Sequence, residues 1–189
     1  ENDDQSITIH NGNLSVTADI VLVGAGAEIA TELALKAGLD VNGGIVVNEF
    51  GQTSDPDIYA AGDVAIHPTV GFCTQSWAHA QQQAVSTAQA IMKEDTKPYT
   101  ETPWIWSDQY QHNVQIMGLP LDENCQLIIR EGDNHQKTFI HLDQDNQVRS
   151  IIAFNDPKAI GVGRMWFKRK NSLDPEKLAD SSIDIMNFR

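Results

Sequence analysis

Asp19-Ile20-Val21-Leu22-Val23-Gly24-Ala25-Gly26 is the stretch on which the fold turns. An unbroken apolar run rich in β-branched residues is the pattern of a strand covered on both faces, and such a strand implies an α/β layer. Working outward, Glu28 to Ala37 carries a short helical pattern stopped by Gly38, and Gly43-Gly44 leads into a strand at Ile45-Val46-Val47. Gly51 to Pro56 is a loop of turn formers, followed by a short strand at Ile58-Tyr59-Ala60-Ala61 that ends at Gly62-Asp63. In many α/β sheets a polar residue at such a strand end faces a ligand crevice. Upstream, Ser6 to His10 and Leu14 to Val16 alternate around Asn11-Gly12-Asn13, the signature of a hairpin.

Downstream, Ser76 can cap a helix from Trp77 to about Met92, and residues 93–103, with Pro98 and Pro103, read as a connector. The remainder changes character. Val114 to Met117, Leu127 to Arg130, Thr138 to Leu142 and Val148 to Phe154 read as strands of an antiparallel meander. Pro157 then opens a helix through roughly Arg169, and Asp174-Pro175-Glu176 opens a shorter one. Charge shifts at the same place: of the formal net −13, residues 1–100 hold −10 and residues 101–189 hold −3. Two units are expected.

The composition excludes several functions. An acidic chain lacks the clustered Lys and Arg that a phosphate backbone needs, so general nucleic-acid binding is not expected. No stretch approaches the roughly 20 apolar residues of a membrane span, and the acidic N-terminus is unlike a signal peptide. Cys73 and Cys125 lie far apart with no C-x-x-C pair, which fits a reducing, cytoplasmic setting and no redox dithiol. The histidines show no metal-ligand spacing, and His79 reads as a helix surface residue. Gly24-Ala25-Gly26 with Glu49 downstream suggests a dinucleotide site, but the third glycine position is Ile29, whose bulk opposes close helix–strand approach. A tight turn leaving a buried strand explains these glycines as well.

A longer match is more specific. The order Asp19 to Gly26, Thr31-Glu32-Leu33, Ala37-Gly38-Leu39, Gly44 to Val47 and Thr53-Ser-Asp-Pro-Asp-Ile-Tyr-Ala-Ala-Gly-Asp-Val64 resembles pyridine-nucleotide-dependent flavoprotein reductases. Ser76-Trp77-Ala78-His79-Ala80 with Gln83, and Pro103-Trp104-Ile105-Trp106-Ser107-Asp108-Gln109-Tyr110, narrow the resemblance to the rubredoxin, putidaredoxin and Rieske-type ferredoxin reductases. The resemblance implies an α+β chain: residues 1–97 as the end of an FAD-binding α/β domain, and residues 103–189 as a C-terminal antiparallel sheet with helices. It also implies that an N-terminal half, holding the flavin glycines and the NAD(P)H domain, lies outside this chain.

The same resemblance implies roles for particular residues. Asp63 matches the aspartate that hydrogen-bonds the ribityl chain of FAD, and Gly62 permits close backbone approach. Trp77 and Ala78 match the helix start whose N–H groups approach the pyrimidine edge of the isoalloxazine. Trp106 matches a tryptophan beside the isoalloxazine near the nicotinamide, whereas Trp104 is expected to pack. Gln75 stands where many relatives have Glu, so no role needing that carboxylate is assigned. In the parent enzyme NAD(P)H would reduce FAD, which would reduce a ferredoxin or rubredoxin; Arg164 and Lys168 could steer an acidic partner or form a solvated helix face. Three alternatives stay open: a non-catalytic docking or homodimerisation module, a nitrite-reductase-like flavoprotein, and an apoptosis-inducing-factor-like one.

Overall fold

The computed structural model describes residues 6–93, 97–119, 121 and 123–188. Strands β1 (Ile7–Asn11) and β2 (Leu14–Ala18) form the expected hairpin, with Ile7 opposite Ala18 and a hydroxyl pair, Thr8 with Thr17, at 2.8 Å. The run that follows is a correction to the sequence reading. Asp19 to Val23 is not a strand, and Leu22 is 95% exposed. The composition of a doubly covered strand is present, but no described strand pairs with it, and a strand exists only through its ladder.

Helix α1 (Glu32–Lys36) is shorter than the pattern over 28–37 suggests, because Thr31 at its N-cap makes no side-chain cap and residues 27–31 stay extended or irregular. Strand β3 (Ile45–Val46) pairs in parallel with β4 (Ala65–Ile66). The strand expected at Ile58 to Ala61 is absent; a single bridge, Gln52 to Tyr59, and the Ala60 N–H to Gly51 carbonyl bond hold that segment instead. Gly62–Val64 is one turn of 3-10 helix leading directly into β4. Helix α2 (Trp77–Met92) has the bounds read from the sequence, with Ser76 Oγ accepting the His79 N–H and Lys93 closing it in the left-handed conformation.

The second unit is a five-stranded antiparallel sheet: β5 (Trp104–Gln109), β6 (His112–Gly118), β7 (Gln126–Glu131), β8 (Lys137–Leu142) and β9 (Val148–Phe154), in the order β5-β6-β9-β8-β7. Only β7-β8-β9 is a simple meander; β6 pairs with β9 rather than with β7. Strand β5, which is not among the strands read from the sequence, pairs with β6 along its whole length. Helices α3 (Pro157–Arg169) and α4 (Pro175–Ala179) each begin at an aspartate cap followed by proline, and both cover one face of the sheet. The core there joins Met117, Ile140, Leu142 and Ile151 to Ile160, Val162, Trp166 and Leu178. Gly163 is where α3 meets β9: a Cβ there would lie 2.3 Å from Ile151 Cδ1. Arg130 ties the end of α4 to the sheet through the carbonyls of Leu178, Asp180 and Ile183.

Candidate functional site

Three features meet where α2 begins. The Gly62–Val64 turn packs on α2, and the Gly62 N–H donates to Gln83 Oε1 at 2.8 Å. This turn sets the Asp63 carboxylate in solvent, where it accepts no hydrogen bond among the described residues. Its charge reaches both Cys73 and His79. Cys73 Sγ covers Gly44, and burial with the Asp63 charge pushes its thiol above the usual range, which favours the protonated form.

The start of α2 supplies the second feature. Ser76 Oγ donates to the Trp104 carbonyl at 2.8 Å and accepts from the His79 N–H, so one hydroxyl joins the helix to β5. The N–H groups of Trp77 and Ala78 have no acceptor among the described residues, as expected for the first turn of a helix. The third feature is a set of indoles. Trp77, 68% exposed, meets the Trp106 ring edge-on at 6.0 Å and 85°. Trp106, 40% exposed, stacks on Trp104 at 4.8 Å, and the Arg164 guanidinium lies 4.6 Å over the Trp104 ring. Trp104 also donates its indole N–H to Gln115 Oε1. Trp104 therefore packs, as expected from the sequence. Arg164 is exposed, with its guanidinium resting on that aromatic face.

Beside these lies an apolar cleft of about 920 Å³, lined by Gly26, Leu33, Ile45, Ile58, Asp63 and Gln75 among others. A cleft of that size suits a cofactor, and its polar groups are few. The structure thus brings Gly62 and Asp63 to α2 through the turn, and Trp77 to Trp106 through ring contact, with Gln75 linking the cleft to the helix start.

His79 is a correction. It is not a surface residue but 2% exposed, with Nδ1 3.1 Å from the Tyr99 hydroxyl. Tyr99 stands edge-on to both His67 and His79, each at 5.2 Å. Burial lowers the pKa of both histidines and raises that of Tyr99 to about 12. The missed signal was the spacing of His79, Gln83 and Thr87, which places all three on one buried face of α2. Among the described residues no cluster of His, Cys, Asp or Glu could hold a metal, and no helix is long and apolar enough to cross a membrane.

Comparison with known proteins follows this geometry. Residues 1–84 match the model of the pyridine nucleotide-disulphide oxidoreductases, and residues 104–189 match the reductase C-terminal model. The chain belongs with the pyridine nucleotide-disulphide oxidoreductases, and the relatives that it matches are ferredoxin reductases. It is 35% identical over 187 residues to the ferredoxin–NAD(+) reductase component of a p-cumate 2,3-dioxygenase system from Pseudomonas putida, covering 97% of this chain and 45% of that protein. It is also 35% identical to the corresponding component of an anthranilate 1,2-dioxygenase system from Burkholderia cepacia, over 92% of this chain and 43% of the relative. Among solved structures, the ferredoxin reductase for the CYP199A2 system of Rhodopseudomonas palustris superposes with a TM-score of 0.80 at 32% identity, over 92% of this chain and 44% of that one. Putidaredoxin reductase in its covalent complex with putidaredoxin gives 0.81 at 29% identity, over 93% and 42% of the two chains. The chain thus spans less than half the length of each of these relatives. The family uses FAD and NAD(P)H.

Proposed function

We propose that this chain carries flavin-facing residues and the C-terminal domain of an NAD(P)H-dependent ferredoxin reductase, its two units dividing at about residues 97–103. The single observation that carries the reading is an apolar cleft lined by Asp63 and Gln75, with the α2 start, its two free N–H donors and the Trp77–Trp106 edge contact following directly after Gln75. An isoalloxazine with its polyol tail needs those things: an apolar wall, donors at the pyrimidine edge and acceptors for hydroxyl groups. The residues fit the group.

In this reading Asp63 accepts hydrogen bonds from ribityl hydroxyls, and Gly62 lets the backbone come close. The Trp77 and Ala78 N–H groups, at the positive end of α2, stabilise negative charge at the pyrimidine edge. Trp106 lies against the ring system and excludes water. When bound, FAD supplies the conversion of two-electron chemistry with NAD(P)H into single-electron transfer to the partner. That partner is a ferredoxin or a rubredoxin, met by the face that carries Arg164 and Lys168, and the setting is cytoplasmic.

The test uses a polypeptide that joins this chain to a flavin- and NAD(P)H-binding half. NAD(P)H-dependent reduction of a ferredoxin, lost on Asp63→Ala together with FAD affinity, supports the reading; full activity in that variant removes it. The isolated chain should bind FAD weakly or not at all, and a yellow stoichiometric complex would overturn that expectation. A second reading, a docking or homodimerisation module, is favoured by one observation: Ile105, Ile116 and Ile129 lie exposed on the sheet face away from α3. Sizing of the chain distinguishes it, since a monomer excludes self-association.

A further inference from the structure

A buried polar chain beneath α2 has no part in the cofactor contacts described above. Gln83 is 0% exposed, and its Oε1 accepts the Gly62 N–H at 2.8 Å. Gly62 sits at φ +78, with the position of a Cβ only 3.3 Å from Ala80 Cβ, so α2 backs the turn closely while Gln83 ties it from the same helix. Gln83 Nε2 and His79 Nε2 are both buried and both without a hydrogen-bond partner. They stand one helical turn apart on one face, and the Gln83 side chain lies beside the imidazole. The other imidazole nitrogen faces the Tyr99 hydroxyl.

The Gly62 N–H fixes which way the Gln83 amide points. With Oε1 committed to Gly62, the Gln83 amide has N–H to offer and needs an acceptor. Turning the amide over would set its NH₂ against the Gly62 N–H, two donors face to face, and a buried donor left unpaired is costly.

We propose that Gln83 is a positioning residue for Asp63: its buried Oε1 holds the Gly62–Asp63 turn against α2. The purpose of that hold rests on the reading of Asp63 as the acceptor for the flavin polyol, whereas the hold itself is measurable without flavin. In the present chain, Gln83→Leu should speed hydrogen exchange of the Gly62 amide about tenfold or more and leave the β8 and β9 amides unchanged. Gln83→Glu keeps an acceptor for Gly62 and should stay within about threefold of the parent. Unchanged exchange in Gln83→Leu overturns the proposal. Should that variant fail to fold, the Gly62 amide of the unaltered chain decides, exchange as fast as that of an exposed amide being the result that overturns it. In the flavin-carrying reductase, Gln83→Leu should weaken FAD binding about tenfold and add nothing to the loss from Asp63→Ala. Additive losses overturn the positioning role. No effect of Asp63→Ala on FAD binding overturns the flavin reading, and with it the purpose assigned to Gln83, while the exchange result still decides the hold.

Discussion

Residues 6–66 and residues 104–188 are built from similar materials and end in different states. The second region closes a single core, with Ile140, Leu142, Ile151 and Leu178 fully buried between sheet and helices. The first has two separate two-stranded sheets and leaves Ile20, Leu22, Val23 and Leu33 in solvent. Apolar content alone does not bury a residue; the second region succeeds because every strand of its sheet has a neighbour and one face has a helix. Where a ladder partner is lacking, even a run like Asp19 to Val23 remains open.

The largest effect that would sharpen this contrast is expected at Trp166, which is buried against the sheet and donates its indole N–H to the Phe188 carbonyl at 2.6 Å. Trp166→Ala should cost about 3–5 kcal/mol in urea unfolding followed by circular dichroism. A loss near zero would mean that the second region is no better packed than the first. Asp63→Ala comes next: it should lower the FAD affinity of the flavin-carrying reductase at least about tenfold, the size of one charge-assisted hydrogen bond, without moving the melting temperature of this chain.

Acid and alkali should separate the regions more gently. His67 and His79 have folded pKa values below 6.5, so the unfolded state binds protons first as pH falls. The stability they contribute is present above about pH 6.5 and is lost as pH falls through the lowered folded values. Tyr99 works in the opposite direction: with a folded pKa of about 12 against 10 unfolded, stability falls as pH rises from 10 towards 12. In the second region burial lowers the His141 pKa too, but two such histidines flank Tyr99, so hydrogen exchange on acidification should rise earlier around α2 than in β7–β9. The smallest effect is expected at Leu22, where Leu22→Asp should change stability by under about 0.5 kcal/mol because the side chain is already in water. A larger loss would show that the open run is packed in solution.

Much of the architecture was legible in the residues because local signals and tertiary contacts agree. Ser76 and Asp174 each cap the helix that their position announces, and β9 and α3 have the bounds that the pattern suggests. Strand β5 was hidden because its indoles and polar residues break the apolar alternation, and its pairing is supplied by β6, not by propensity. For the candidate site, the motif around Gly62 and Asp63 and the two indoles at 77 and 106 could be named from order along the chain, although their cofactor roles remain proposals. His79 was misplaced, because the spacing of His79, Gln83 and Thr87 marks a shared helix face without saying that it is the covered one, which Tyr99 decides on arriving from the connector.

The sequence by itself determined the helix starts, the strand-rich second half, the acidic imbalance and the likeness to flavoprotein reductases, since caps, prolines, alternation and motif order act over a few residues at a time. Tertiary structure alone decided that Asp19 to Val23 lies open, that β6 joins β9, and that Gln83 reaches Gly62 across 21 positions of chain. Those outcomes depend on which surfaces meet. A residue's own chemistry states what it can pair with, but only the assembled chain decides whether that partner comes within reach.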